Sequence, residues 1–190
     1  MTAGLILAAG AGTRFGEQPK LLADLDGRPL LEHAIRAQCA VAQLERIVVV
    51  LGSGAAGIMA AVEFGEAEPV ICEDWRDGQA ASLRCGLDAL SDADRVIVTL
   101  GDQPSITPQV IGRFLNEPSG TRAVYNGRPG HPVVLGAEHM RALQQLTGDR
   151  GARELLGDGP TIECSDLCSG RDVDTPEDLE VVRRETRAVF

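Results

Sequence analysis

The sequence predicts an α/β domain built on a mostly parallel sheet that helices cover on both faces. Three observations carry that reading. Strand-length runs such as 46–51 are apolar from end to end, leaving no polar side to face water. Segments with helical spacing separate those runs. The chain has 190 residues, 44% of them hydrophobic and 24% charged, which suits a single domain over 1–190.

The elements follow in chain order. Residues 5–9 are an apolar run closed by Gly10, which reads as a buried strand. Residues 28–40 read as a helix, with Leu30, Leu31, Ala34, Ile35 and Gln38 spaced by turns and Pro29 early in it. A second apolar strand covers 46–51, a short helix 55–62 and a third strand 70–73. Residues 79–90 put Leu83, Leu87 and Leu90 on one helical face. The fourth strand, 95–100, ends at Gly101-Asp102, and 108–115 is helical. Residues 121–126 and 132–136 look like strands around a Gly-Arg-Pro-Gly turn. Helices at 137–146 and 150–156 precede a last strand at 160–164. The last helix, 176–187, is capped by Thr175 with Asp178 three residues on. Ligands of such sheets bind beyond the carboxyl ends of the strands. The places to inspect therefore follow Ala9, Leu51, Glu73 and Leu100.

Composition narrows the function. The formal net charge is −10, which argues against a broad basic footprint for nucleic acid and against a polybasic membrane surface. With 4 Phe, 1 Trp and 1 Tyr the chain has too few aromatics for a single-strand stacking platform. No apolar run reaches the ~18 residues of a membrane span. The run 5–11 is short, lacks a basic lead-in and flows into glycines, unlike a signal peptide. Five scattered cysteines do not look like a disulfide framework and fit reduced cytoplasmic thiols. Cys164 and Cys168 are spaced loosely for zinc, and no second pair completes four ligands, so they read as packing residues.

The loop after the first strand is the most informative stretch. It runs Ala8-Ala9-Gly10-Ala11-Gly12-Thr13-Arg14-Phe15-Gly16-Glu17-Gln18-Pro19-Lys20. Glycines let backbone amides approach a phosphate, and successive amides form an anion nest. Arg14 and Lys20 add positive charge suited to a triphosphate, although a plain strand-to-helix turn is the competing reading. The lysine weighs on that choice. Every other basic residue in the chain is arginine, so Lys20 is the one cation that a strong arginine bias left alone. Lysine is a compact point charge on a flexible stem and arginine a wide planar fork, and a crowded site beside a reacting phosphate suits the former. A Walker loop is excluded because Lys20 follows Pro19 and precedes Leu21. A dinucleotide fingerprint is missed twice, in the spacing of Gly10, Gly12 and Gly16 and in the absence of an acid at Leu51-Gly52-Ser53.

The run Leu7-Ala8-Ala9-Gly10-x-Gly12-x-Arg14-x-Gly16-x-x-Pro19-Lys20-Leu21-Leu22 resembles the signature loop of the nucleotidyltransferases. Gly78-Gln79-Ala80-Ala81-Ser82-Leu83 and Gly101-Asp102-Gln103-Pro104 resemble one branch, the molybdenum cofactor cytidylyltransferases and related MobA-like enzymes. Pro129-Gly130-His131-Pro132, Gly148-Asp149-Arg150-Gly151-Ala152 and Asp172-Val173-Asp174-Thr175-Pro176-Glu177-Asp178 match the same branch. The resemblance implies a three-layer α/β/α Rossmann-like nucleotidyltransferase fold, mostly parallel with one antiparallel strand. It implies nucleotide binding by Leu7, Ala8, Ala9, Gly10 and Gly12, with Gln79 and Ser82 at the base or ribose. It implies Arg14 and Lys20 on the triphosphate, Mg²⁺ (or Mn²⁺) on Asp102 with Asp174 completing the metal site, and His131 at the acceptor.

Other roles stay open for several of these residues. Asp102 at the sheet edge suits magnesium, which takes one or two carboxylates plus phosphate and water, yet such an Asp also caps turns. Asp172 and Asp174 precede a capped helix, where structural roles compete. His131 is either an acceptor contact or a solvated turn histidine, and Ser82 at a helix start is also a plain cap. His33 and His139 fall in helices as structural or exposed groups.

The implied reaction is transfer of CMP from CTP to the phosphate of the molybdopterin cofactor, releasing diphosphate. It runs by positioning and electrostatics without a nucleophilic side chain, because a phosphate monoester is already anionic. Guanylyltransferases of the group usually carry Gly where this chain has Ala9, which favours CTP over GTP. A molybdenum hydroxylase or its chaperone is the implied downstream partner. The rivals are a different phosphorylated acceptor, an NAD(P)-dependent oxidoreductase, and a non-catalytic carrier of the cofactor.

Overall fold

The computed structural model describes residues 1–16, 18–143 and 159–188. The helix expected at 150–156, the end of that at 137–146 and the 148–152 motif lie outside the described residues. Seven strands form one sheet: β1 (Thr2–Ala8), β4 (Arg46–Leu51), β5 (Glu68–Ile71), β6 (Arg95–Leu100), β7 (Arg122–Tyr125), β8 (Arg128–Gly136) and β9 (Thr161–Glu163). Their spatial order is β5-β4-β1-β6-β8-β7-β9. The pairs of β1 with β4 and β6, β4 with β5, and β7 with β9 are parallel. Only β8 runs against its neighbours, antiparallel to both β6 and β7, as the resemblance implies. A separate two-stranded hairpin, β2 (Asp24–Leu25) with β3 (Arg28–Pro29), follows the glycine loop.

Alternation along the central strands explains the three layers. Successive side chains of a strand point to opposite faces, so each apolar strand feeds two cores. Ile6, Val49, Leu51 and Ile97 meet α1 (Leu30–Cys39), α2 (Ala55–Ala61) and α4 (Pro108–Gly112) on one face. Leu5, Val48, Val50, Val96 and Val98 meet α3 (Gln79–Ala89) and α5 (Ala137–Leu143) on the other. Each fully buried Leu, Ile or Val contributes about 1.5–3 kcal/mol of transfer free energy. A third cluster joins Phe15 of the glycine loop and Leu25 of the hairpin to Val173, Leu179 and Val182. Leu179 and Val182 belong to α6 (Pro176–Ala188), so this cluster fastens the late segment to the first loop.

The differences from the sequence reading have local causes. The third strand is 68–71 instead of 70–73: β5 is an edge strand, and an edge tolerates Pro69, whose missing amide would break a central ladder. The helix read from residue 28 starts at Leu30, because Arg28 and Pro29 pair with Leu25 and Asp24. Asp26-Gly27 turns that hairpin, with φ of 51° and 83°. The β7–β8 turn is Asn126-Gly127, with φ of 50° and 76°, not Gly-Arg-Pro-Gly; Arg128, Pro129 and Gly130 belong to β8. The helix read as 108–115 stops at Gly112. No helix among the described residues is long and apolar enough to cross a membrane.

Candidate active site

The site forms where β1, β4 and β6 end at their carboxyl edge. Asp102 follows β6 directly, and the Gly101 amide is anchored to the Leu7 carbonyl of β1 at 2.9 Å. The Val173 amide donates to the Asp102 carbonyl at 2.9 Å, which brings the loop carrying Asp174 alongside. Asp174 in turn precedes α6, whose start is a reciprocal cap. The Asp178 amide donates to Thr175 Oγ1 at 3.2 Å, and the Thr175 amide donates to Asp178 Oδ2 at 2.9 Å.

Lys20 joins the two carboxylates. Its Nζ donates to Asp102 Oδ2 at 2.6 Å and to Asp174 Oδ1 at 3.1 Å, and its side chain is only 11% exposed. Burial pulls the ammonium pKa down, and Asp102 and Asp174 more than offset that pull, so Lys20 is held above its ordinary value and stays charged. Arg14 Nη2 lies 2.9 Å from Asp174 Oδ2, with most of the Arg14 side chain in solvent. Gly12 makes this approach possible. Its φ is +59°, and a Cβ there would stand 3.0 Å from the Cβ of Lys20.

Among the described residues, two hollows flank this cluster. One of about 620 Å³ is lined by Leu7, Ala9, Gly10, Trp75, Gln79, Ser82 and Asp102 among others. A smaller one of about 160 Å³ is lined by Gly10, Gly16, Pro19, Lys20 and Ser53 among others. Gly10 and Ala11 border both, so the glycine loop is their shared wall. The structure therefore brings together Leu7, Ala9, Gly10, Gly12, Arg14, Lys20, Gln79, Ser82, Asp102 and Asp174. Ala8 is turned into the core and lines neither hollow. His131 lies two residues beyond the last β6–β8 pair, Val98 with Val133, at the edge where β6 runs out. It lines neither hollow, and its carbonyl accepts from Tyr125 Oη at 2.7 Å.

The residues fit a divalent cation. Asp102 Oδ1 is buried with no hydrogen-bond partner, an acceptor oxygen that wants a positive neighbour. Two carboxylates form a hard oxygen donor set. Among the described residues no group of three or more His, Cys, Asp or Glu is arranged for a metal, so phosphate oxygens and water would have to supply the other ligands.

Sequence reading missed three neighbours. Trp75 and Arg76 line the larger hollow just before Gly78, and a lone tryptophan in an aromatic-poor chain was the available signal. Gln103 is 3% exposed and donates to Asp172 Oδ1 at 2.7 Å and to the Gly170 carbonyl at 3.2 Å, bracing the 170–174 loop.

Residues 4–163 match the MobA-like NTP transferase domain. The chain belongs to the MobA-like NTP transferase family. This MobA-like chain is 35% identical to nicotine blue oxidoreductase of Paenarthrobacter nicotinovorans over 93% of both chains. It is 35% identical to the bifunctional protein GlmU of Cereibacter sphaeroides over 74% of its own length, and spans a third of that protein. Rv0371c of Mycobacterium tuberculosis superimposes with a TM-score of 0.82 at 28% identity, over 96% of this chain and 97% of that one. A manganese complex of Rv0371c superimposes with a TM-score of 0.78 at 26% identity, over 96% and 98% of the two chains. Family and fold together support a nucleotidyltransferase enzyme that uses a nucleoside triphosphate.

Proposed function

We propose that the chain transfers CMP from CTP to the terminal phosphate of the molybdopterin cofactor and releases diphosphate. The observation that carries this is the Lys20 ammonium held between Asp102 and Asp174 beside a glycine-loop hollow large enough for a nucleoside. Gly10 and Gly12 let the loop backbone approach the triphosphate, while Lys20 and Arg14 neutralise its charge. Gln79 and Ser82 line the same hollow, where they would meet the base or ribose. Leu7, Ala8 and Ala9 set the loop's start, and His131 stands at the acceptor edge. An oxygen of the acceptor phosphate attacks the α-phosphorus in line, and the bond to the bridging oxygen of the departing diphosphate breaks with its electron pair. Mg²⁺ or Mn²⁺ on Asp102 and Asp174 would supply further charge neutralisation there. No side chain need act as base, because the acceptor is already an anion. The product would pass to a molybdenum hydroxylase or its chaperone.

A diphosphate-release assay with CTP, GTP and ATP, purified molybdenum cofactor and Mg²⁺ or Mn²⁺ tests the reading. CTP with the cofactor is expected to give the highest turnover. Asp102→Ala should lower it by ~100-fold or more, and unchanged turnover would refute the metal assignment. Equal release with an acceptor lacking the pterin would sink the acceptor choice and favour a sugar phosphate or phosphorylated alcohol.

A second reading has its own support. The likeness to nicotine blue oxidoreductase covers 93% of the chain and favours a redox reaction, for which NADPH is the reductant to test. NADPH consumption without diphosphate release, insensitive to Asp102→Ala, is the outcome that would establish it over transfer.

A further inference from the structure

The larger hollow has one wall that no role above explains. Trp75 and Arg76 form it, in the short helical turn Trp75–Asp77 between β5 and α3. The Arg76 guanidinium lies over the indole, 4.5 Å from the ring centroid, so the ring is held by a cation–π contact. On the β4 side the tryptophan rests on Gly52. A Cβ at Gly52 would stand 2.6 Å from Trp75 Cβ and Cγ and 2.7 Å from the Ala9 carbonyl oxygen. Nothing larger than glycine lets the tryptophan come this near the glycine loop. The Ser53 amide, donating to the Ala9 carbonyl at 3.1 Å, fixes that spacing from the backbone side.

We propose that Trp75 is the stacking surface for the nucleobase, with Arg76 pinning the ring and Gly52 acting as the positioning residue that sets the wall at the loop. The proposal rests on the reading that this hollow takes a nucleoside triphosphate, and it names a base contact that Gln79 and Ser82 do not provide. An indole suits that task because every base offers a π-face, and stacking adds affinity without requiring a particular hydrogen-bond pattern. Most of the other lining groups are small or aliphatic: Leu7, Ala9, Gly10, Ala11, Gly78 and Leu100. Among the described residues Trp75 is the only aromatic ring in the lining.

The chain has 1 tryptophan, so its emission reports on this wall alone. CTP or GTP with Mg²⁺ is expected to change that emission saturably, whereas inorganic tripolyphosphate, which carries the charge without the base, leaves it unaltered. By equilibrium dialysis, Trp75→Ala should weaken nucleotide binding about tenfold, and Trp75→Phe should restore most of it. In turnover the Ala variant should raise KM for the nucleotide and spare kcat, because the base lies away from the reacting phosphorus. Gly52→Ala keeps the tryptophan but forces it to shift, and should weaken binding in the same direction. Emission that answers equally to tripolyphosphate overturns the proposal. So does wild-type nucleotide affinity in a folded Trp75→Ala or in Gly52→Ala. If dialysis shows no nucleotide binding to the wild-type chain, the transferase reading falls along with it; binding with silent tryptophan emission sinks the base wall alone.

Discussion

Lys20 occupies a gap that suits a point charge. Its ammonium meets Asp102 and Asp174 within 3.1 Å while its stem passes the bare backbone of Gly12. An arginine would bring a wider planar fork into the same space and lose one of the two contacts. Lys20→Arg is therefore expected to lower turnover about tenfold or more despite the conserved charge, read in the diphosphate-release assay. Wild-type turnover would show that only charge matters at this position. This residue was legible in the sequence because arginine replaces lysine everywhere else. Its partners were not: the reading aimed Lys20 at phosphate and both aspartates at a metal, without placing all three in contact. That contact depends on the Val173 amide bonding to the Asp102 carbonyl, a long-range backbone link that leaves no mark on local composition. A thiol offers a pH-dependent check. Burial, with the Cys72 thiol next to it, pushes Cys85 up to about 11. Alkylation of Cys85, followed by peptide mass spectrometry, should be slow at neutral pH and accelerate only as pH climbs towards that value.

At the scale of elements, α6 matters through its start. Thr175 and Asp178 cap each other, and Asp178 Oδ2 also accepts from the Asp174 amide at 3.2 Å. Asp178→Ala removes the side-chain half of the box, with an expected loss of about 1 kcal/mol and a melting temperature lower by about 2–4 °C at neutral pH, measured by calorimetry. The hydrogen bond from Thr175 holds the Asp178 carboxyl below its ordinary value of 3.8. A carboxyl depressed in the folded state stabilises above its unfolded pKa and loses that contribution as pH falls through the folded one. The gap between wild type and variant should accordingly narrow as pH falls below the ordinary carboxylate range and through the depressed Asp178 pKa. The capping box was legible because Thr-x-x-Asp ahead of a helix is a local signal. The strands β4 and β6 were read at their observed ends because they are apolar throughout and central, so burial on both faces left one solution. The edge strand β5 slipped by two residues, since an edge accepts Glu68 and Pro69. Both hairpins were marked by Asp26-Gly27 and Asn126-Gly127, and weighing the turn dipeptide above the proline would have placed them.

For the whole molecule the relevant quantity is the field. The chain carries a net −10, while residues 1–40 hold equal numbers of basic and acidic groups, so the excess negative charge lies elsewhere. A free nucleoside triphosphate therefore approaches a body whose net charge has its own sign. Between ~0.01 M and ~0.1 M salt the Debye length falls from ~30 Å to ~10 Å. The association rate of CTP, followed by stopped flow without metal, should then rise by about two- to threefold as the global repulsion is screened. A falling rate would show that Arg14, Lys20 and Arg76 dominate the approach. The sequence announced this charge imbalance but not its distribution in space, which needs the sheet order to place the glycine loop beside Asp102. One further consequence follows from the cluster that fastens Phe15 to Val173, Leu179 and Val182. Lys20 and its partner Asp174 lie 154 residues apart in the chain. A nascent polypeptide on the ribosome can therefore complete its central strands while Lys20 still lacks one of its two carboxylates. The pair closes only when the segment bearing Asp174 has left the exit tunnel and docked onto the first loop.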